Sequence, residues 1–232
     1  MEKKYGILVQ GSITEWTYDI IEEHKVNFPD CDIVLSTWIT DDTKDVDCTV
    51  VKSTMPKKTA PHYYDINERI VVTNAGLEKI NADIIMKCRT DQFVHNSDIF
   101  KIYEKSCKAD QIMVPYEGLF IEKHDYFISD MCQIAKHDLL NEYWNPMPEF
   151  DGSYAISPEV YFTKNYVINL RNDKNLWRDV ITKYFCLKGF HEHFQIEWEE
   201  MTKFEGYQKS KEKWAINNEI IRKDDYIKLI GD

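Results

Sequence analysis

The chain has 232 residues, 43% of them hydrophobic, with 14 Tyr, 11 Phe and 6 Trp, which is ample material for one large core and argues against intrinsic disorder. A formal charge of −11 makes the chain a poor default binder of nucleic acid and argues against a broad polybasic membrane patch, while leaving room for a local basic pocket at Lys87 and Arg89. Six cysteines without a CxxC pair support neither a zinc ribbon nor a thioredoxin motif, and they fit reduced thiols in a cytoplasmic protein.

Met1-Glu2-Lys3-Lys4 leads into only Tyr5–Val9 before polar Gln10, too short for a secretory h-region. No apolar run approaches the roughly 20 residues of a membrane span, so any membrane association would be peripheral. Tyr5–Val9 reads as a buried strand. Gln10-Gly11-Ser12 is a turn, and Ser12-x-x-Glu15 is a capping box for a helix running to about Lys25. Phe28-Pro29-Asp30 breaks that helix. A second strand covers Ile33-Val34-Leu35 and ends in Ser36-Thr37-Trp38, and after an acidic loop a third covers Cys48–Lys52. Asp65-x-x-Glu68 caps the next helix, whose apolar positions Ile66, Ile70, Leu77 and Ile80 have helical spacing.

Asp83–Asp91 is a fourth strand and the most informative stretch. The apolar run Ile84-Ile85-Met86 gives way to alternation, with Lys87, Arg89 and Asp91 on one face. Two cations and a carboxylate emerging together from a buried strand suit a diphosphate with its Mg²⁺ or Mn²⁺, Asp91 being the metal ligand. The ordinary alternative is an Arg–Asp salt bridge at a strand end.

The β-α-β-β-α-β order predicts an α/β domain with a mostly parallel sheet flanked by helices. Ligands of such sheets bind at the carboxyl ends of the strands. That rule gathers Gln10-Gly11-Ser12, Ser36-Thr37-Trp38 and Arg89-Thr90-Asp91 around one crevice. The absence of GxGxxG leaves a dinucleotide site unsupported.

The second half is less regular. Ser97 opens a helix to about Lys108. Gln111–Pro115 is a strand that stops at proline. Ser129 opens a helix through Trp144, and Asp151-Gly152-Ser153 is a turn. Ser157-Pro158-Glu159 starts a further helix, with a Ser N-cap, Pro at N1 and an acid at N2. Trp177–Leu187 reads as helix ending near Gly189, and residues from about 191 to 232 as a helical cover. With no linker to divide it, the chain is expected to be one domain. A nucleotide-binding half of about 1–95 would be followed by an acceptor-side half of about 96–190.

Ile7-Leu-Val-Gln-Gly11, Phe28-Pro29 before Ile33–Trp38, Asn67-x-Arg69 leading to Ala75-Gly76-Leu77, and Lys87-x-Arg89-Thr90-Asp91 together resemble the WavE-type lipopolysaccharide-synthesis proteins over about residues 5–91. The resemblance implies a GT-A glycosyltransferase, a single Rossmann-like domain with an Asp-containing metal motif at a strand end. Its donor would be a nucleoside-diphosphate sugar and its acceptor a glycan of a surface polysaccharide or glycoprotein. Arg89-Thr90-Asp91 would stand where the usual Asp-x-Asp lies, with Arg89 in place of the first acid. Arg69 matches the Arg of the family's helix motif, but Ile70 follows where Gln is expected, so no role of that Gln carries over. Arg69 would reach the diphosphate, or else lie on the solvated face of its helix.

An inverting transfer needs a general base for the acceptor hydroxyl. Asp130 and Glu159, both at expected helix starts, are candidates, with Asp151 third; acids in a first helical turn are also favoured by the helix dipole alone. His191-Glu-His193 would present two histidines on one face if extended, one of which could complete the Asp91 site. Tyr143-Trp144, Tyr154, Tyr161-Phe162 and Trp198 offer either a sugar-stacking floor or core. A nucleotidyltransferase-like enzyme and a non-catalytic nucleotide- or glycan-binding module are the alternatives to the transferase.

Overall fold

Apolar runs of five to seven residues separated by amphipathic helices build the α/β arrangement expected of them. The computed structural model describes residues 3–116 and 124–198. Strands β1 (Tyr5–Gln10), β2 (Asp32–Trp38), β3 (Thr49–Ser53) and β4 (Ile84–Arg89) alternate with helices α1 (Thr17–Asn27) and α2 (Ile66–Lys79). Then come β5 (Gln92–Val94), α3 (Ile99–Ser106), β6 (Ile112–Tyr116), β7 (Gln133–Lys136), α4 (His137–Trp144) and α5 (Pro158–Lys164). The chain continues through a π-helical segment (Asn165–Leu170), α6 (Trp177–Tyr184), β8 (Phe185–Gly189), a second π-helical turn (Phe190–Phe194) and β9 (Ile196–Trp198).

Among the described residues the main sheet has the order β3-β2-β1-β4-β7-β6-β8, and β5 and β9 pair separately. β7 alone is antiparallel to its neighbours β4 and β6. The mostly parallel sheet of an α/β fold is therefore present, with one reversed strand inside it.

Strand alternation sends Leu8, Val34, Ile85 and Ala135 to one face, where they pack with Ile66, Leu77, Leu140, Trp144 and Phe162. Ile7, Val9, Leu35, Met86 and Ile134 go to the other, with Ile21, Phe28, Phe100 and Phe194. Gly76 lets α2 approach the sheet: a Cβ there would lie 2.2 Å from a Leu8 methyl carbon.

Several expectations are corrected. The Ser12/Glu15 capping box does not form: α1 starts at Thr17 behind Trp16, and the Ser12 hydroxyl instead accepts from Trp38 Nε1 at 3.0 Å. At α2 neither acid caps a backbone N–H; Asp65 bonds Arg69 and Glu68 accepts from Tyr63. β6 runs through Pro115 to Tyr116, the missing proline donor being tolerated there. The helix expected from Ser129 is replaced at its start by β7, and the end of the helix expected over Trp177–Leu187 by β8. The segment around His193 is a π-helical turn, so residues two apart do not share a face as they would in a strand. The expected C-terminal helical cover lies outside the described residues beyond Trp198, and Ile196–Trp198 itself is strand. No described helix is long and apolar enough to cross a membrane.

Candidate active site

A cleft of about 300 Å³ opens at the carboxyl ends of β1, β2 and β4. Gln10, Gly11, Ser12, Trp38, Arg69, Arg89, Thr90 and Asp91 of the expected set line it, together with Thr14, Met55, Tyr63, Asp65, Glu68 and Val72. Register brings the first turn against the end of β4, because Gln10 lies beside Arg89 and, on its other side, beside Ser36.

Thr90 is the staple between these ends. Its backbone N–H donates to the Gln10 carbonyl at 3.2 Å and its hydroxyl to the Ser12 carbonyl at 2.6 Å. Its own carbonyl accepts from Thr14 and Thr17. Gly11 has φ of 129°, where L side chains are strained, and a Cβ there would meet Thr90 Oγ1 at 2.8 Å.

Asp91 follows β4 and faces the cleft. Arg89 donates to it through Nε (2.8 Å) and Nη2 (2.6 Å), a side-on bidentate pair, and Trp198 Nε1 adds a third donor at 3.1 Å. The Trp198 ring lies over the guanidinium, 5.5 Å from centroid to Cζ. The sharing of a face by residues 89 and 91 is thus realised, but as the salt bridge that was its ordinary alternative.

A second network lies beside the first. Arg69 donates to Asp65 at 3.0 Å, to Asp130 at 2.6 Å and to Glu159 at 3.4 Å. Behind it Lys87 is fully buried. Its Nζ donates to the Asp130 carbonyl, lies 3.5 Å from the carboxylate, and sits 4.8 Å over the Trp144 ring. The reversed strand explains this meeting. β7 starts where β4 ends, with Gln133 beside Lys87, so Asp130 just before it comes within reach of Arg69 behind the cleft.

Burial alone would raise the Asp130 carboxyl, but Arg69, Lys87 and Arg89 outweigh it and hold Asp130 below the usual carboxylate range. Burial lowers the Lys87 ammonium, with Asp130 opposing. Burial raises the Glu159 carboxyl above its ordinary value, Asp130 adds to the rise, and Arg69 opposes it.

Several candidate residues therefore stand differently from their expected places. Lys87 does not line the cleft; it is an internal counter-ion of Asp130. Asp130 is only 3% exposed and its carboxylate is taken up by two cations, so it is not an open base. Thr37 is buried and its hydroxyl donates to the Asp41 carboxylate. Glu159 keeps 22% of its side chain exposed beside Arg69. Asp151 is exposed on a loop outside the cleft lining and accepts from the Ser153 N–H. Tyr143, Trp144, Tyr161 and Phe162 are core, while Tyr154 is exposed. Nor is the cleft positively lined, since Arg69 and Arg89 face Asp65, Glu68 and Asp91.

The chemistry of the donor set decides the fit of a divalent cation. A carboxylate offers about four lone-pair sites, and three N–H donors occupy three of them at Asp91. A cation on the remaining one would face the Arg89 guanidinium across the same carboxylate, a costly like-charge contact. No group of three His, Cys, Asp or Glu side chains able to hold a metal occurs among the described residues. These residues do not fit a Mg²⁺ or Mn²⁺ centre.

The family model for WavE lipopolysaccharide synthesis matches residues 6–147. The chain belongs to this family. The match takes in β1 to β4, the cleft loops, Asp130 and β7, and ends before Glu159. No curated protein matches this family member. Among solved structures it is similar to 4-diphosphocytidyl-2C-methyl-D-erythritol synthase from Anaerococcus prevotii (8% identity, 83% of this chain, 91% of that one, TM-score 0.47). It is also similar to glucosyl-3-phosphoglycerate synthase from Mycobacterium tuberculosis in complex with Mn²⁺, UDP and glucosyl-3-phosphoglycerate (9%, 80% and 69%, TM-score 0.47). A mannosyltransferase from Pyrobaculum calidifontis in complex with GDP-Man and Mn²⁺ is a third (9%, 83% and 58%, TM-score 0.48).

Thr90 lies at the crevice as the strand-end rule expects, but its role as a staple, the place of Tyr63 in the lining and the direct meeting of Arg69 with Asp130 and Glu159 are not legible in the local sequence. Nothing in the local pattern around Asp130 announces Arg69 or Glu159.

Proposed function

We propose that this WavE family member is a glycosyltransferase that moves a sugar from a nucleoside-diphosphate sugar to a glycan acceptor in surface polysaccharide synthesis. One observation carries the reading: Arg89, at the end of a buried parallel strand, meets the Gly11 turn in an open cleft. That is where α/β sheets bind ligands, and a guanidinium there suits phosphate oxygens. Membership of a lipopolysaccharide-synthesis family supports the choice of substrate class.

In the proposed reaction the acceptor oxygen attacks the anomeric carbon as the bond from that carbon to the diphosphate oxygen breaks. The bonding electron pair leaves with the nucleoside diphosphate. The acceptor proton passes to Glu159, the partly exposed carboxylate of the second network. Its raised carboxyl suits that task, since a base works best when its pKa approaches the working pH. Asp130 is a positioning residue: through Arg69 it fixes where Glu159 sits. Gly11 allows the donor close to the backbone, and Tyr63 and Met55 form the outer wall.

The test is a thermal-shift screen of nucleoside diphosphates and their sugars, followed by product analysis. Ligands of the native state raise the transition temperature by mass action. The reading requires stabilisation by one nucleoside-diphosphate sugar and release of its nucleoside diphosphate on transfer. Release of pyrophosphate would mean attack at phosphorus and would overturn it.

A further inference from the structure

We infer that Arg89 replaces the divalent cation in this site, with Asp91 and Trp198 acting on Arg89 as positioning residues and not on the substrate. The inference rests on the glycosyl-transfer reading above and assigns the group that binds the leaving diphosphate.

Three observations carry it. First, Arg89 is held on two sides. Its Nε–Nη2 edge is bonded to Asp91 and its face is covered by Trp198. The Nη1 group has no hydrogen-bond partner among the described residues, and Arg89 lines the cleft. A guanidinium has two usable edges, so Arg89 can keep Asp91 and still present Nη1 and the second Nη2 proton to a phosphate. Second, Arg69 is not equivalent. Three carboxylates engage it, which leaves Arg89 as the cleft cation with donors to spare. Third, Asp91 spends its lone pairs on three N–H donors, so the carboxylate that would hold a metal already serves to aim a cation.

The arrangement is pre-organised. Nε and Nη2 fix the plane of the guanidinium, and the indole fixes its tilt. A fixed donor set aimed at developing charge needs no reorganisation during the reaction. As the bond to the anomeric carbon breaks, negative charge grows on the diphosphate oxygen, and the free Arg89 edge is where that charge would be received.

The experiment is calorimetric binding of UDP, GDP, CDP and ADP to the whole chain, each in EDTA and each in Mn²⁺. The inference expects at least one to bind in EDTA with a Kd within about threefold of its value in Mn²⁺. Arg89→Ala should then weaken that diphosphate by about 10- to 100-fold, the usual loss of a charged hydrogen-bond donor, and leave the parent nucleoside's binding unchanged. Arg89→Lys, which keeps the charge but not the fork, should fall between. Asp91→Asn should weaken the diphosphate in the wild-type background and add nothing in Arg89→Ala, because it acts only through that side chain.

Binding that vanishes in EDTA and returns with Mn²⁺ would overturn the inference while leaving the transferase reading in place. An additive Asp91→Asn effect in Arg89→Ala would also overturn it. Binding of no nucleoside diphosphate under either condition would overturn both. The EDTA comparison on the unmodified chain holds even if a variant fails to fold.

Discussion

Arg69 and Asp130 meet at 2.6 Å although 61 residues separate them, and Lys87 closes on the same carboxylate from below. A carboxylate this buried is tolerable only while paired, because removing a partner leaves an uncompensated charge in a poorly solvated place. Arg69→Ala is therefore expected to cost about 3–5 kcal/mol of stability in urea unfolding. Arg69→Ala combined with Asp130→Ala should cost less than the sum of the two single changes, by roughly 1–3 kcal/mol. Additive losses would mean that the two side chains do not act as a pair.

The same pairing predicts a dependence on pH. Asp130 is held below its ordinary value of 3.8 in the folded chain, so the unfolded chain binds the proton more readily. The contribution of Asp130 is complete above 3.8 and is lost as pH falls from there toward its folded pKa. Asp130→Asn should thus be less stable than the parent near neutrality, with the difference shrinking in acid. Unfolding free energies across that range would show it, and a difference that grew in acid would reverse the sign of the argument.

The extent to which this site could be read from sequence follows from the range of each signal. Gln10-Gly11-Ser12 and Arg89-Thr90-Asp91 stand at the ends of parallel strands, and parallel strands put all their carboxyl ends at one edge, so a local motif locates itself in space. β7 breaks that rule. It has only four residues, Gln133–Lys136, and runs directly into α4, so no turn residue marks the change from extended to helical chain. In the sequence Ser129 therefore has the look of a helix cap. Only the antiparallel pairing of Lys87 with Gln133 brings Asp130 to Arg69 and Glu159, and pairing across the sheet leaves no periodic trace. Lys87 shows the converse limit. Alternation placed it correctly on the face of Arg89, but the depth at which that face becomes buried is set by Trp144 and α4, far along the chain.

Glu159 gives a kinetic prediction. Burial first, and then the nearby Asp130, raise its carboxyl above the ordinary 4.5, against the pull of Arg69. A base must be ionised, so the rate should fall as pH drops through that raised pKa, on the acid side of the profile. Glu159→Gln should lower kcat by about 10²- to 10⁴-fold and abolish that acid limb, with donor binding retained. A variant that keeps the parent's rate would remove Glu159 as the base.

The last prediction concerns how Trp198 is kept over Arg89. β9 pairs with β5, opposing Gln92 to Trp198 and Val94 to Ile196. His95, just beyond β5, ties this small sheet to α1, with Nδ1 2.6 Å from Glu23 and Nε2 3.1 Å from Glu197. Phe93 stacks on its ring at 5.1 Å. Burial alone would lower the His95 pKa, but Glu197 and Glu23 overcome it and raise the value above 6.5. Buried His24 is the facing group that opposes the charge; its own pKa is pushed down to about 3 by burial and then by His95. For a raised histidine the added stability is complete below 6.5 and is lost as pH rises through the folded value. His95→Gln can still bond but cannot carry the charge. The stability gap between parent and variant should accordingly be widest in mild acid and close in alkali. If diphosphate binding depends on Trp198 holding the guanidinium, affinity in EDTA should decline over the same pH range in the parent and stay flat in the variant. A stability gap constant from about pH 5 to 9 would show that His95 holds β9 as a neutral ring and would remove the link to Arg89.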